Sequence, residues 1–294
     1  MDGEFPLRSP EIGVFDLHEP ATRNLPLVLA SPHSGSDYPT HFIAASRLDP
    51  LALRQSEDSF VDELFAAAPR LGAPLLSARF PRAYLDVNRE PYELDPAMFS
   101  DSLPGFVNAA SPRVRIGLGT IARIVASGEE IYAGKLSFAE AKRRVDDLYH
   151  PYHQALRRLV EETEGTFGGY LLIDCHSMPS AAGSAWGRDG ADIVLGDCYG
   201  AACAPRIIEV AGNFFVERGF TVAINAPYAG GFTTGFYGRP AAHRHALQIE
   251  INRALYMDER TRRRKPRFGG LVKEMADLVE QLGRVVQGCL PKRA

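Results

Sequence analysis

Four stretches place reactive side chains at the ends of apolar runs: His33 in ASPHSGSDYP, Asn88 and Arg89 in LDVNREP, His176 in IDCHSMP and Glu250 in LQIEINR. Asp174 lies two residues before His176, and residues i and i+2 of a strand share a face, so these two side chains can meet. A metal-bound imidazole donates its other N–H to a carboxylate or carbonyl, which would make Asp174 the orienting partner of His176. Ser56, Glu57 and Asp58 open a helix-like stretch, where acids ordinarily cap the helix and complement its dipole. A carboxylate there can also point into a site, and two imidazoles with one carboxylate make the three-ligand set of a catalytic zinc with an open fourth position. Taken singly, a histidine beside a strand ordinarily serves packing, so the set decides.

Alternation sends Gln248 and Glu250 to one face of their run. On an edge strand Glu250 would be solvated. With aliphatic residues on both sides, an ionised carboxylate needs a partner or a proton, and a general base at a hydrolytic site meets that need. Arg82, Arg89, Arg123 and Arg253 flank glycine, proline or strand ends; guanidinium forks bind carboxylates and suggest an anionic substrate, surface placement being the alternative. YAGGFTTGFYGRP, residues 228–240, reads as a mobile loop, either a lid carrying Thr234 and Tyr237 to the substrate or a plain connection. His150 and His153 share a helix face without an adjoining acid, which favours packing or substrate contact over a metal pair.

The elements that must position these residues alternate between short apolar strands and amphipathic helices, the order of an α/β sheet covered by helices. Strands are expected at LPLVLAS, APLLSARF, GYLLIDCHS, ADIVLGDC, FTVAINAPY and HALQIEINRALY. LRQSEDSFVDELFAAAPRLG reads as one capped helix, and SFAEAKRRVDDLYHPYHQALRRLVEETEG, ACAPRIIEVAGNFFVERG and a closing helix over about 269–290 as others. The long segment after LDVNR is rich in Pro, Gly and Ser, and such excursions are often functional. No break in composition divides the chain, which reads as one domain over 1–294.

With 294 residues, 45% hydrophobic content and a net charge of −3, the chain can build a large core and offers no basic field for nucleic acid. Its four cysteines lack metal-site or disulfide-scaffold spacing, which fits reduced thiols in a cytoplasm. The first residues lack a signal-peptide pattern, and no 18-residue apolar run occurs, so no membrane partner is expected.

SPHSG, SEDSFVDELF, DVNREP, GLGTIAR, YHPYHQAL, IDCHSMP, GGFTTGFYG and HALQIEINRALYMDE, in that order, resemble the N-formylglutamate amidohydrolase family over roughly residues 25–260. That family is related to zinc carboxypeptidases and aspartoacylase-like deacylases. The resemblance implies a three-layer α/β/α sandwich with a mixed, mostly parallel sheet. It also implies one zinc ion per chain and hydrolysis of the amide of a small anionic N-acyl amino acid, with N-formylglutamate, a histidine-degradation intermediate, as the leading case. Another N-acyl amino acid, a small peptide, or a metal-free dicarboxylate-binding module on the same fold are the alternatives.

Carried over by position, the resemblance gives His33 and His176 as zinc ligands, Glu250 as base, and Asn88 with Arg89 on the substrate carboxylate. Arg82 would support the oxyanion, and Arg123 or Arg253 would add anion contacts. The wider group takes its acidic ligand three residues after the first histidine, where this chain has Ser36. The role therefore passes to Asp58, with Glu57 as the alternative. Oligomeric state is not readable.

Overall fold

Strands buried on both faces read as unbroken apolar runs, and the runs that end in reactive residues form the middle of one sheet. The computed structural model describes residues 13–184 and 190–291; residues 1–12, on which the reading of the leader largely rests, lie outside the described residues. The seven strands are β1 (Phe15–His18), β2 (Leu27–Ser31), β3 (Leu75–Ala78), β4 (Tyr170–Met178), β5 (Ile193–Gly196), β6 (Val222–Ile224) and β7 (Arg244–Asn252). They pair in the order β1-β3-β2-β4-β7-β5-β6. Four of the six pairings are parallel; β1 runs antiparallel to β3 and β5 antiparallel to β7. β2 and β4 are buried at every position, as the apolar runs require.

Alternation divides the core between the two sheet faces. Leu27, Leu29, Leu171, Ile173, Leu247 and Ile249 pack with residues of the helices Pro205–Val216 and Phe268–Cys289. Val28, Ala30, Leu172 and Ala246 pack on the other side with Tyr152, Leu156 and Leu159 of the helix His150–Phe167. Three layers follow, and the mixed, mostly parallel sheet is the one the family resemblance implies. Asp174, His176, Gln248 and Glu250 continue the second face, so the polar ends of β4 and β7 lie on the side of the helix His150–Phe167.

Phe15–His18, which is not among the expected strands, forms β1 at the sheet edge, and two further stretches differ from expectation. LRQSEDSFVDELFAAAPRLG is broken: a 3₁₀ turn at Arg54–Ser56 is followed by extended Glu57, and a short helix Val61–Leu64 starts after Phe60 at φ 68°. Tertiary bonds win over helix propensity here, because Asp58 N donates to His33 O at 3.0 Å and the Asp58 carboxylate is drawn into the interior. The expected mobile loop at 228–240 instead contains the helix Phe232–Tyr237, with Thr233, Thr234 and Tyr237 buried. Its glycines gave no periodic signal, whereas its threonines and backbone bond to Asn88 and Asp174.

Candidate active site

β2 delivers His33 in a loop that passes hard against the chain at Arg79–Phe80. A Cβ on Gly35 would lie 2.2 Å from Phe80 O, so only glycine allows that passage. His33 is thereby set beside Asp86, with its Nε2 donating to Asp86 Oδ1 at 2.7 Å. β4 delivers His176 with Asp174 on the same face, His176 Nε2 lying 2.9 Å from Asp174 Oδ1. Each imidazole thus has a carboxylate on its Nε2 side and turns Nδ1 toward Asp58.

The two Nδ1 atoms meet one oxygen. Asp58 Oδ2 is 3.1 Å from His176 Nδ1 and 3.4 Å from His33 Nδ1. Asp58 Oδ1 accepts from Ser177 Oγ at 3.1 Å and from Arg253 Nη2 at 3.0 Å. All three residues are buried, and their donor atoms lie within 4.8 Å of one another. Glu57, the alternative ligand, is turned away and bound by Arg54 Nε at 2.9 Å and Ser59 Oγ at 2.8 Å.

Charge at this centre is set by burial against near neighbours. Burial opposes ionisation of Asp58, but the hydrogen bond from His176, with His33 and Arg253 close by, holds it well below the usual carboxylate range. Burial likewise opposes a charged His176, and Asp174 and Asp58 outweigh it, holding the imidazole well above its ordinary value. His33 Nδ1 is buried without a hydrogen bond. Two nitrogens and an oxygen aimed at one another, with a proton needed between one pair and a bare nitrogen at the other, fit a divalent cation of the borderline kind that takes N and O ligands.

Glu250 stands at the same rung as His176, and Gln248 at the same rung as Asp174. Gln248 Nε2 donates to Glu250 Oε1 at 2.8 Å. Burial pushes the Glu250 carboxyl up to about 7, while His176 works in the opposite direction.

A cavity of about 480 Å³ lies beside this centre, lined by Glu250, Arg82, Asp86, Arg89, Arg253 and Tyr228 among others, with His33, Asp58 and His176 behind its wall. The long irregular segment supplies its opposite wall, including Leu118, Ala122 and Ile124. Arg82 Nη2 donates to Asp86 Oδ2 at 2.8 Å. Arg89 is fixed by bonds to Leu118 O at 2.9 Å and Asn88 O at 2.7 Å, and burial lowers its guanidinium to about 10. Arg253 lines the cavity while its donors reach Asp58, Ser177 and Gln55 O.

Other expected contacts lie elsewhere. Arg123 bonds to Asp95 at 3.1 Å and lines a separate depression. Asn88, Thr234 and Tyr237 do not line the cavity; they sit behind it, where Asn88 Nδ2 and Thr234 Oγ1 reach Asp174 Oδ2 at 3.3 and 3.2 Å. His153 is buried and His150 exposed, so they form no pair. Asp86 is the residue that the sequence reading passed over. Its place inside DVNREP is visible, but no periodicity connects it to His33.

The fold and the site define a layered α/β enzyme with a carboxylate–imidazole centre at the carboxyl edge of its parallel strands, where open α/β sheets hold ligands. A profile of the N-formylglutamate amidohydrolase family matches residues 25–257, and the chain belongs to that family of hydrolases. It is similar to a crystal structure of N-formylglutamate amidohydrolase from Ralstonia eutropha JMP134, at 39% identity and TM-score 0.88 over 94% of this chain and 99% of that one. N-formylglutamate deformylase from Pseudomonas putida is 29% identical over 238 residues, 80% of this chain and 83% of that protein. The deformylase from Pseudomonas aeruginosa is 27% identical over the same shares. Among the described residues, no helix is long and apolar enough to cross a membrane.

Proposed function

We propose that this chain hydrolyses N-formylglutamate to glutamate and formate, with one zinc ion held by His33, Asp58 and His176. The family and the relatives named for that substrate support the reaction. The observation that carries the chemistry is the convergence of His33 Nδ1, His176 Nδ1 and Asp58 Oδ2 beside a cavity that also presents Glu250.

Bound there, zinc supplies a Lewis acid that polarises the formyl carbonyl and makes water nucleophilic at neutral pH. Asp86 keeps the His33 imidazole in the tautomer that frees Nδ1, and Asp174 lies beside Nε2 of His176 at 2.9 Å. Glu250, raised to about 7 by burial, has the proton affinity suited to a base at neutral pH. It takes the proton of the attacking water and hands it to the amide nitrogen as the C–N bond breaks, so glutamate leaves as an amine. Arg82 has one arm on Asp86 and faces the reacting carbonyl with the rest of its fork; removing such an oxyanion donor costs about 3 to 4 kcal/mol. Arg89 is the substrate-carboxylate anchor. Arg253 supports Asp58, since its donors are taken by Asp58, Ser177 and the Gln55 carbonyl.

Formate release from N-formylglutamate tests this reading, measured before chelation, after chelation and after zinc is restored. Activity that chelation abolishes and zinc returns supports it. Formate release that survives exhaustive removal of metal refutes the metal assignment, and no formate release from the zinc-loaded protein refutes the substrate.

A further inference from the structure

The irregular run after Asp86 has no strand ladder to satisfy its carbonyls, and buried carbonyls need partners. Three consecutive ones are taken by side chains. Val87 O accepts from His153 Nε2 at 2.8 Å, Asn88 O from Arg89 Nη1 at 2.7 Å, and Arg89 O from Tyr149 Oη at 2.7 Å. A carbonyl only accepts, so His153 carries its hydrogen on Nε2, and its Nδ1 accepts from the Tyr237 hydroxyl at 3.1 Å.

Tyr149 and His153 both belong to the long helical block, which is not uniform. Between α-helical Phe138–Arg144 and His150–Phe167 it widens into a π turn at Val145–Tyr149. Such turns are rare and recur at functional sites. Tyr149 ends this one, and His153 follows it with the two rings 4.4 Å apart and both residues buried.

Asn88 stands between the two clamped carbonyls. Thr233 N donates to Asn88 Oδ1 at 2.8 Å, which turns Nδ2 toward Asp174 Oδ2 and brings it 3.0 Å from His176 Nε2. A Cβ on Gly231 would lie 2.3 Å from the amide atoms of Asn88, so the helix start at Phe232 closes against Asn88 with no side chain between.

We propose that Tyr149 and His153 are positioning residues: by holding the Val87 and Arg89 carbonyls they fix Asn88, and through it the aim of the Asp174–His176 pair. The catalytic consequence rests on the functional reading above; the consequence at the His176 ring does not.

Tyr149→Phe removes one donor and keeps the ring, His153→Leu removes the other, and His153→Gln returns an amide donor. In the metal-free protein the ¹⁵N resonance of His176 Nε2 is expected to move in Tyr149→Phe and His153→Leu and to return toward the parent in His153→Gln. In the zinc-loaded protein, kcat and zinc affinity are expected to fall about tenfold in the first two, with KM changing less than about twofold. An unmoved His176 resonance, with only a lower melting temperature, overturns the proposal. So does a rise in KM alone, which would mean that the clamp serves Arg89. If the parent releases no formate, the functional reading falls and the His176 resonance alone decides. If His153→Leu fails to fold, Tyr149→Phe, which loses a single oxygen, decides.

Discussion

His176 and Glu250 occupy the same rung of the parallel pair β4 and β7, and the rung two residues back holds Asp174 beside Gln248. One register therefore sets both halves of the chemistry. The lower rung orients the upper: Asp174 lies 2.9 Å from His176 Nε2, and Gln248 donates to Glu250 at 2.8 Å. A slip of one residue by either strand would turn that strand's two side chains into the opposite layer and separate the pairs.

Glu250→Gln keeps the shape of the rung and removes the base. Steady-state kinetics on N-formylglutamate are expected to show kcat down by about 10² to 10⁴, with KM within about threefold. A variant retaining more than about a tenth of parental kcat shows that another group moves the proton.

Asp86→Asn strips the carboxylate that His33 and Arg82 share and that Arg89 approaches at 3.6 Å. Zinc affinity, by competition with a chromophoric chelator, is expected to fall about 10- to 100-fold. Stability to urea is expected to drop by about 3 to 5 kcal/mol, because the buried Arg89 and the partly buried Arg82 lose their counter-charge. Unchanged values in both would remove Asp86 from the site.

Arg89→Lys keeps a positive charge and loses the fork. KM for N-formylglutamate is expected to rise about tenfold while kcat changes less than about threefold. Parental kinetics would assign the carboxylate to another cation.

His153 gives the protein an acid-sensitive component of stability. Burial lowers its pKa from 6.5 to about 4, and Arg157 acts in the same direction against the bond to Val87 O. Below about 6.5 the unfolded chain takes a proton that the native ring refuses, so this contribution is complete above that pH and drains as the pH falls toward about 4. Urea unfolding is expected to show about 2 kcal/mol less stability from this group at about pH 5 than at about pH 7.5, and the loss is expected to vanish in His153→Gln. An equal acid loss in the variant would place the sensitivity elsewhere.

Much of the scaffold was legible because both faces of the central sheet are covered, which leaves apolar runs that stop where β2 and β4 reach His33 and Asp174. The two-residue period also put Asp174 with His176 and Gln248 with Glu250. Asp58 came through the family resemblance, since a carboxylate after a 3₁₀ turn looks like a helix cap until tertiary partners are known. Asp86 was missed for a related reason: its bond to His33 joins loops distant in sequence, and nothing periodic marks it. The helix Phe232–Tyr237 was hidden by its glycines, which lack helix propensity and are required by contacts such as Gly231 against Asn88. Which arginines reach the cavity depends on loop paths: the residue pattern alone did not separate Arg89 from Arg123, and only the family resemblance gave Arg89 the anchoring role.

Anomalous diffraction at the zinc edge, on crystals of protein active toward N-formylglutamate, tests the central claim most directly. One peak is expected at about 2.0 to 2.2 Å from His33 Nδ1, His176 Nδ1 and an Asp58 carboxylate oxygen together. Active crystals with no peak there, or with the metal bound elsewhere, would contradict it.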